Sequence, residues 1–138
     1  MDEYLSEKSD CFVHTAGLDA DASVFKAEEN LTAAKYLASG QFLEQAITTA
    51  YDAVHDAAVA IAASQGVRPA QDCGHGVVLG LLGTVFCGSE QAKALRNMRN
   101  ALRYHDTVMI PTATDVIQAI HAAEDVVSKV KAWVEAQD

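Results

Sequence analysis

The stretch LTAAKYLASGQFLEQAITTAYDAVHDAAVAIAASQG, residues 31–66, carries the strongest structural pattern in the chain. Its apolar residues recur at steps of three and four, which places them on one face of an α-helix. The pattern predicts one helix that is closed by Gly40 in a left-handed conformation, and a second that ends at Gly66, with Pro69 as a stop signal. The buried stripe of this second helix consists of Leu43, Ile47, Ala50, Val54, Ala57 and Ile61.

The same periodicity continues on both sides of this stretch. Asp21 is a candidate cap for the first helix, whose apolar positions are Val24, Ala27, Leu31, Ala34 and Ala38. Near the carboxyl end, Thr112 and Asp115 have the spacing of a capping box just after Pro111. They predict a last helix with a stripe of Val116, Ile120, Ala123, Val127, Val130 and Val134.

Between these regions, GHGVVLGLLGTVF at residues 74–86 is apolar on nearly all sides and has Gly76, Gly80 and Gly83 on one stripe. Each glycine costs a helix about 1 kcal/mol relative to alanine. Three of them on one stripe favour a helix whose backbone packs closely against a neighbour. A phosphate-binding glycine loop fits poorly, because no Lys and Ser/Thr follow and no strand precedes.

With a further helix from Ser89 to Tyr104, the chain is predicted to be an all-α bundle of about five helices, four of them forming an up-and-down core. Few alternating β-branched residues leave little room for a sheet. Residues 1–20 lack periodicity and are expected to form a tail or loosely docked arm. Residues 21–138 are expected to form the helical domain.

The whole chain has 19 acidic and 10 basic residues among 138, a net charge of −9. This balance argues against binding to duplex DNA or to an anionic membrane. No apolar run approaches the length of a membrane span. The polar first residues, and three cysteines without a CxxC pair, predict a cytoplasmic protein with reduced thiols and no disulfide framework.

Against this acidic background, ALRNMRNALRYHDTV at residues 94–108 is basic. Leu95, Met98 and Leu102 fall on one side of the predicted helix and are expected to pack. The opposite arc is expected to contain Lys93, Arg96, Arg99, Asn100 and Arg103. Such a face can simply be solvated. In a chain that is already strongly charged, however, the cluster favours an anionic partner or the acidic surface of another protein.

The sequence RNALRYH, from Arg99 to His105, resembles the R-x4–6-H motif of HEPN domains, in which a polar residue often follows the Arg. Residues 31–66 are similar to the paired opening helices of the same family, with A-x-x-x-A-Tyr ending at Tyr51 and an alanine-rich run ending at Gly66. Together the two similarities cover about residues 22–136. They imply a HEPN-like helical bundle.

The resemblance implies a metal-independent ribonuclease, without a cofactor, in which the motifs of two protomers meet in the cleft of a homodimer. His105 is expected to accept or return a proton, since histidine titrates near neutral pH. Arg99 is expected to stabilise charge on the phosphoryl oxygens, and Asn100 to orient the phosphate or the histidine. The residues expected to bind RNA are Lys93, Arg96, Arg103 and Tyr104.

Two departures from the family pattern qualify this prediction. Arg99 and His105 point about 120° apart on a continuous helix, so they converge only if the helix ends before His105 or the partner chain completes the site. Members paired with a nucleotidyltransferase antitoxin often have Tyr two residues after the His, where this chain has Thr107. The alternative is a non-catalytic HEPN module that binds a partner protein or a nucleotide through its basic helix.

The remaining histidines fit structural positions better than a site. His55 has Asp52 and Asp56 nearby and His121 precedes Glu124 by three residues, so both are expected to be partly buried and hydrogen-bonded. The set Cys73, His75 and Cys87 matches no zinc spacing, and no metal site is expected. There is also no motif for Ser-His-Asp catalysis.

Overall fold

The protein is described from a computed structural model that covers residues 1–86, 89–104 and 110–137. The predicted all-α bundle is confirmed, and its five predicted helices correspond to α2 to α6. In chain order the elements are α1 (Asp2–Glu7), β1 (Phe12–His14), α2 (Ala20–Ser39), α3 (Leu43–Ser64), β2 (Val67–Pro69), α4 (His75–Val85), α5 (Ser89–Tyr104) and α6 (Ala113–Ala136). Single 3-10 turns at Ser9–Cys11 and Gln71–Cys73 lie directly before β1 and shortly before α4.

Helix α3 is the central element, because it packs against α2, α4, α5 and α6. Its buried residues lie on almost every side, and most of them are small alanines. α2 and α6 also contact each other, so these two helices and α3 form the tightest part of the bundle. Burial of this apolar surface is the main favourable contribution to folding.

The predicted buried stripe of α6 is confirmed at every position. Its predicted capping box is also present: the Asp115 amide donates to Thr112 Oγ1, and the Thr112 amide donates to an Asp115 carboxylate oxygen. The predicted cap of α2 is wrong by two residues. Asp19 is the N-cap and accepts from the Ala22 amide, because the helix already includes Asp21 in its first turn.

The ends of α2 and α3 differ in how they use glycine. Gly66 follows α3 with φ +75°, a left-handed conformation that glycine adopts without steric cost. The expectation that Gly40 would be left-handed is wrong, since its φ is −85°. The left-handed residue is the next one, Gln41, with φ 64°.

The N-terminal segment, residues 1–19, contributes one strand of a small sheet that the sequence pattern did not predict. β1 pairs antiparallel with β2, and Phe12, Val13 and His14 lie opposite Pro69, Arg68 and Val67. Phe12 is buried in the hydrophobic core. These strands are only three residues long, too short for alternation to be recognisable in the sequence.

A disulfide between Cys11 and Cys73 joins the N-terminal segment, at the residue before β1, to the turn before α4. The expectation of reduced cysteines without a disulfide is therefore wrong for this pair, whereas Cys87 lies outside the described residues. The two residues are 62 positions apart, but the pairing of β1 with β2 brings their backbones together: the Ala70 amide donates to the Cys11 carbonyl at 2.7 Å. Sequence spacing alone does not reveal such a pairing.

The glycine stripe of α4 allows the close contacts that its sequence predicted. A side chain at Gly80 would overlap the ring and hydroxyl of Tyr4, and one at Gly76 would overlap the Arg96 guanidinium. The Tyr4 hydroxyl donates to the Val77 carbonyl at 2.6 Å. Along this stripe α4 is thus contacted by the N-terminal segment at Gly80 and by a basic side chain of α5 at Gly76.

None of the helices in the described ranges is both long enough and apolar enough to cross a membrane.

We predict that loss of the disulfide lowers the stability of the protein. The bond closes a loop of 62 residues, and a loop of this size is expected to contribute roughly 2–4 kcal/mol by restricting the unfolded chain. Urea unfolding with and without dithiothreitol measures this difference in free energy. Cys11→Ser is the control, because dithiothreitol should leave its stability unchanged. Equal stability of oxidised and reduced wild type would contradict the prediction.

Candidate functional site

A polar pocket of about 430 Å³ lies where α3, the beginning of α4 and α5 meet. α3 contributes Tyr51 from inside the bundle, and α5 contributes several residues of the predicted basic face. The residues that line the pocket are Tyr51, Gly74, His75, Gly76, Arg96, Arg99 and Asn100. Among the residues that the structure describes, the pocket lining includes two arginines and an imidazole but no carboxylate.

Arg99 lies on the pocket side of α5 and is only 8% exposed. Its guanidinium carbon is 5.0 Å from the centroid of the Tyr51 ring, and its Nη1 donates to Asn100 Oδ1 at 3.2 Å. A guanidinium over an aromatic face is attracted by the ring quadrupole. The expectation that Arg99 lies on the arc opposite the packed leucines is therefore wrong, because α5 packs against both α3 and α6 and buries more than its leucine stripe.

The other predicted basic residues divide into two groups. Arg96 is half-buried and lines the pocket beside Gly76. Arg103 and Lys93 are exposed, and Lys93 Nζ lies 3.6 Å from a carboxylate oxygen of Glu90, one turn earlier on the helix. Of the predicted basic face, Arg96, Arg99 and Asn100 therefore line the pocket, and the two exposed cations do not.

Two pocket residues, Tyr51 and His75, had no role in the sequence prediction. The Tyr51 hydroxyl is 2.9 Å from His75 Nδ1, and the two rings are stacked with centroids 5.7 Å apart. The His55 ring lies against His75 with a centroid distance of 4.2 Å. Tyr51 is part of the A-x-x-x-A-Tyr pattern of α3, which was a signal for this position. No comparable sequence pattern identified His75 as a pocket residue.

Positive charge and burial both disfavour protonated histidine in this region. Burial lowers the pKa of His55 to about 4, with His75 and Arg99 adding to the effect. Partial burial also lowers the pKa of His75. The positive charge of Arg99 lowers this pKa further, whereas the carboxylate of Asp52 raises it. Both imidazoles are therefore neutral at pH 7. The Asp52 carboxyl has a raised pKa because of its own burial, against the effect of the arginines.

The predicted catalytic histidine, His105, lies outside the described residues, as does Thr107. For Tyr104 the structure describes the backbone at the end of α5 and not the side chain. α5 ends at Tyr104. The convergence of Arg99 and His105 therefore stays a prediction.

The pocket has the chemical character of an anion site. A buried guanidinium and a neighbouring half-buried one supply donors, an amide side chain supplies a further polar group, and the neutral imidazole of His75 can exchange a proton. Within the described parts of the chain, no group of three or more His, Cys, Asp or Glu side chains is placed to hold a metal ion.

Comparison with known proteins gives one family and a common fold. The model of the HEPN domain matches residues 20–133, which is most of the chain. The crystal structure of ST0689, an archaeal HEPN homologue, is 20% identical with a TM-score of 0.67, and the match covers 83% of this chain and 97% of that one. The crystal structure of TT1696 from Thermus thermophilus is 25% identical with a TM-score of 0.62, and the match covers 86% of this chain and 98% of that one. No curated protein sequence matches the chain.

We predict that His55 makes the stability of the protein depend on pH. The unfolded chain binds a proton on His55 near pH 6.5, whereas the folded protein binds it only near pH 4. The unfolded state therefore takes up more protons as the pH falls through this window, and His55 contributes a loss of stability. An NMR titration should give a His55 pKa near 4, and urea unfolding from neutral pH down to that pKa should show the loss.

The matched control for this prediction is His55→Asn, whose stability should fall less steeply over the same pH range. Comparison of the two slopes also removes the contribution of Asp52 and Asp56, whose pKa values are raised by burial and which act in the opposite direction. Identical slopes for wild type and variant would contradict the assignment.

Proposed function

The chain belongs to the HEPN family, and on this basis we propose that it is a metal-independent endoribonuclease that acts as a homodimer. The proposed reaction is cleavage of a phosphodiester through the ribose 2′-hydroxyl, by Arg99 and His105 at a cleft shared by two protomers. A toxin or a defence component is the proposed biological role, in the cytoplasm, where RNA is abundant.

The observation that carries the proposal is the position of Arg99. The residue is only 8% exposed, yet it lines a pocket that is open to solvent. Burial of a cation is costly unless an anion compensates it. Among the described residues, no carboxylate lies within ion-pair distance of Arg99, which instead contacts the Tyr51 ring and the Asn100 side chain. Asp52 of α3 acts on Arg99 electrostatically without forming an ion pair, and a phosphodiester group in the pocket would place negative charge in direct contact with the guanidinium.

The proposed roles follow from the chemistry of each group. The Arg99 guanidinium offers a planar fork of donors that never loses its charge near neutral pH, which suits phosphoryl oxygens. Asn100, held by Arg99 Nη1, orients the phosphate or the catalytic histidine. His105 accepts or returns the proton that moves between the ribose hydroxyl and the leaving oxygen.

RNA is proposed to extend from the pocket along α5. Arg96 at the pocket and the exposed Arg103 contact phosphates, which positions RNA without reading its bases. Lys93 and Tyr104 complete the proposed RNA-binding set. Lys93 has to exchange its exposed pairing with Glu90 for a phosphate. Because the chain has a net charge of −9, the affinity is expected to be modest and to fall as salt rises.

A homodimer doubles this basic surface, and a nucleotidyltransferase or another antitoxin is the proposed regulatory partner.

Disulfides are rare in reducing cytoplasm, and those present are often redox-sensitive. Nuclease activity should therefore be compared with and without dithiothreitol, so that the state of the Cys11–Cys73 bond is controlled.

We predict that the purified protein cleaves single-stranded RNA in the presence of EDTA, and that His105→Ala lowers the rate by roughly 10²–10⁴-fold, the usual contribution of general acid–base catalysis. Gel analysis of end-labelled RNA measures the rate. The control is His121→Ala, because His121 is exposed on α6 and does not line the pocket. Undiminished cleavage by His105→Ala would refute the role of this residue.

The exposure of Arg103 favours a second candidate function, that of a non-catalytic module. An exposed basic side chain outside the pocket can dock a partner protein as well as RNA. This alternative predicts no cleavage by the wild type, together with loss of partner binding in Arg103→Glu. Cleavage by the wild type in EDTA excludes it.

A further inference from the structure

The pocket contains an imidazole that the proposed reaction has not yet used. His75 is the first residue of α4 and faces the same space as Arg96, Arg99 and Asn100. It is exposed, so a ligand that enters the pocket can reach it. In the sequence, His75 was weighed only as part of a metal site with Cys73 and Cys87; in the structure Cys73 is joined to Cys11 by the disulfide.

The position of His75 is restricted by its backbone as well as by its ring contacts. The preceding Gly74 has φ +74°, which turns the chain sharply at the beginning of α4. One residue earlier, Cys73 is joined to Cys11 by the disulfide. The short segment that delivers His75 is thus attached at both of its ends, to the N-terminal segment and to α4.

The ring of His75 is oriented by α3. Tyr51 is completely buried, and its hydroxyl is hydrogen-bonded to His75 Nδ1 at 2.9 Å. The His55 ring packs against the imidazole with a centroid distance of 4.2 Å. With Nδ1 engaged by Tyr51, Nε2 is the ring nitrogen that remains for a ligand in the pocket. A tyrosine hydroxyl can accept from Nδ1–H, which leaves a lone pair on Nε2.

The charged groups around His75 favour its neutral form. Partial burial of the ring lowers its pKa most, and Arg99, Arg103 and Arg96 of α5 lower it further, while Asp52 of α3 acts in the opposite direction. His55 of α3 is itself neutral above about pH 4 and adds no charge at pH 7. A neutral imidazole beside a guanidinium can act as a proton acceptor at neutral pH.

Cleavage through the 2′-hydroxyl requires two proton transfers. The 2′-oxygen loses a proton as its bond to phosphorus forms, and the 5′-oxygen gains one as the P–O5′ bond breaks. The products are a 2′,3′-cyclic phosphate and a 5′-hydroxyl, with no net oxidation or reduction. Because the attacking and leaving oxygens lie on opposite sides of the phosphorus, two groups serve these transfers better than one.

We propose that His75, oriented by Tyr51, is the general base of this pocket, and that its Nε2 accepts the 2′-hydroxyl proton while His105 protonates the leaving 5′-oxygen. The inference rests on the proposed ribonuclease function and adds a catalytic residue from outside the R-x4–6-H motif. Arg99 then contacts the phosphoryl oxygens.

The test compares two substrates. One is mixed-sequence single-stranded RNA, whose 5′-alkoxide leaving group needs a proton. The other is a mixture of 4-nitrophenyl 3′-phosphodiesters of the four ribonucleosides, whose nitrophenolate leaves without one. His75→Ala should lower kcat/KM roughly 10²–10⁴-fold on both substrates. His105→Ala should lose similar activity on RNA and retain most of its activity on the nitrophenyl esters.

The pH profile supplies a second measurement that a merely structural role would not change. In the wild type, kcat/KM should fall on the acidic side as His75 becomes protonated. The apparent pKa of this acidic limb should lie below the usual pKa of histidine. This acidic limb should disappear in the residual activity of His75→Ala and shift in Tyr51→Phe, which keeps the ring and removes the hydroxyl. His121→Ala is the control, and circular dichroism checks that each variant folds.

The outcomes separate the two proposals. Suppose that the wild type cleaves RNA and that this cleavage is lost in His105→Ala but unchanged in His75→Ala. Only the role of His75 would then be overturned, and the ribonuclease function would stand. Loss of activity of His75→Ala on RNA but not on the nitrophenyl esters would also overturn it, since His75 would then be the acid. If the wild type cleaves neither substrate, the ribonuclease function fails and the role of His75 fails with it.

Discussion

Tyr51 has no exposed surface, yet it contacts both of the groups that give the candidate site its chemistry. Its ring lies beneath the Arg99 guanidinium, with 5.0 Å from the guanidinium carbon to the ring centroid, and its hydroxyl is 2.9 Å from His75 Nδ1. A buried aromatic ring with a polar tip is suited to this position, since its body packs in the core while the hydroxyl satisfies a hydrogen bond. The central helix therefore determines where a cation from α5 and an imidazole from α4 are placed.

The alanine content of α3 explains how the four neighbouring helices can pack closely around it. Small side chains such as Ala50, Ala53, Ala57 and Ala58 are completely or almost completely buried and let neighbouring helices come close. The same principle operates on α4, where Gly76 leaves room for the Arg96 guanidinium. Helix stability lost through glycine is offset by the close packing that it permits. The pocket is thus bordered by small residues and is lined mainly by a few large polar ones.

The parts of this arrangement that follow local patterns could be predicted from the sequence. Apolar periodicity located the helices from α2 to α6, and the Thr112 and Asp115 spacing located the start of α6. Arg99 was identified as a site candidate by its motif, but its burial was not, because helical periodicity cannot reveal that a helix packs on two sides. His75 is 24 residues from Tyr51 in sequence, and Cys11 is 62 residues from Cys73. Contacts between such distant positions depend on tertiary packing, which leaves no periodic signal in one chain.

The N-terminal segment has a consequence for where this protein can be shortened. The HEPN match begins at residue 20, so a recombinant version trimmed to that boundary would keep all five long helices. It would nevertheless lose the contact of Tyr4 with Gly80, the strand that pairs with β2, and the covalent link to the turn before His75. The trimmed protein could retain a helical spectrum while one wall of its pocket became free to move, so a negative assay on it would say little about the intact chain.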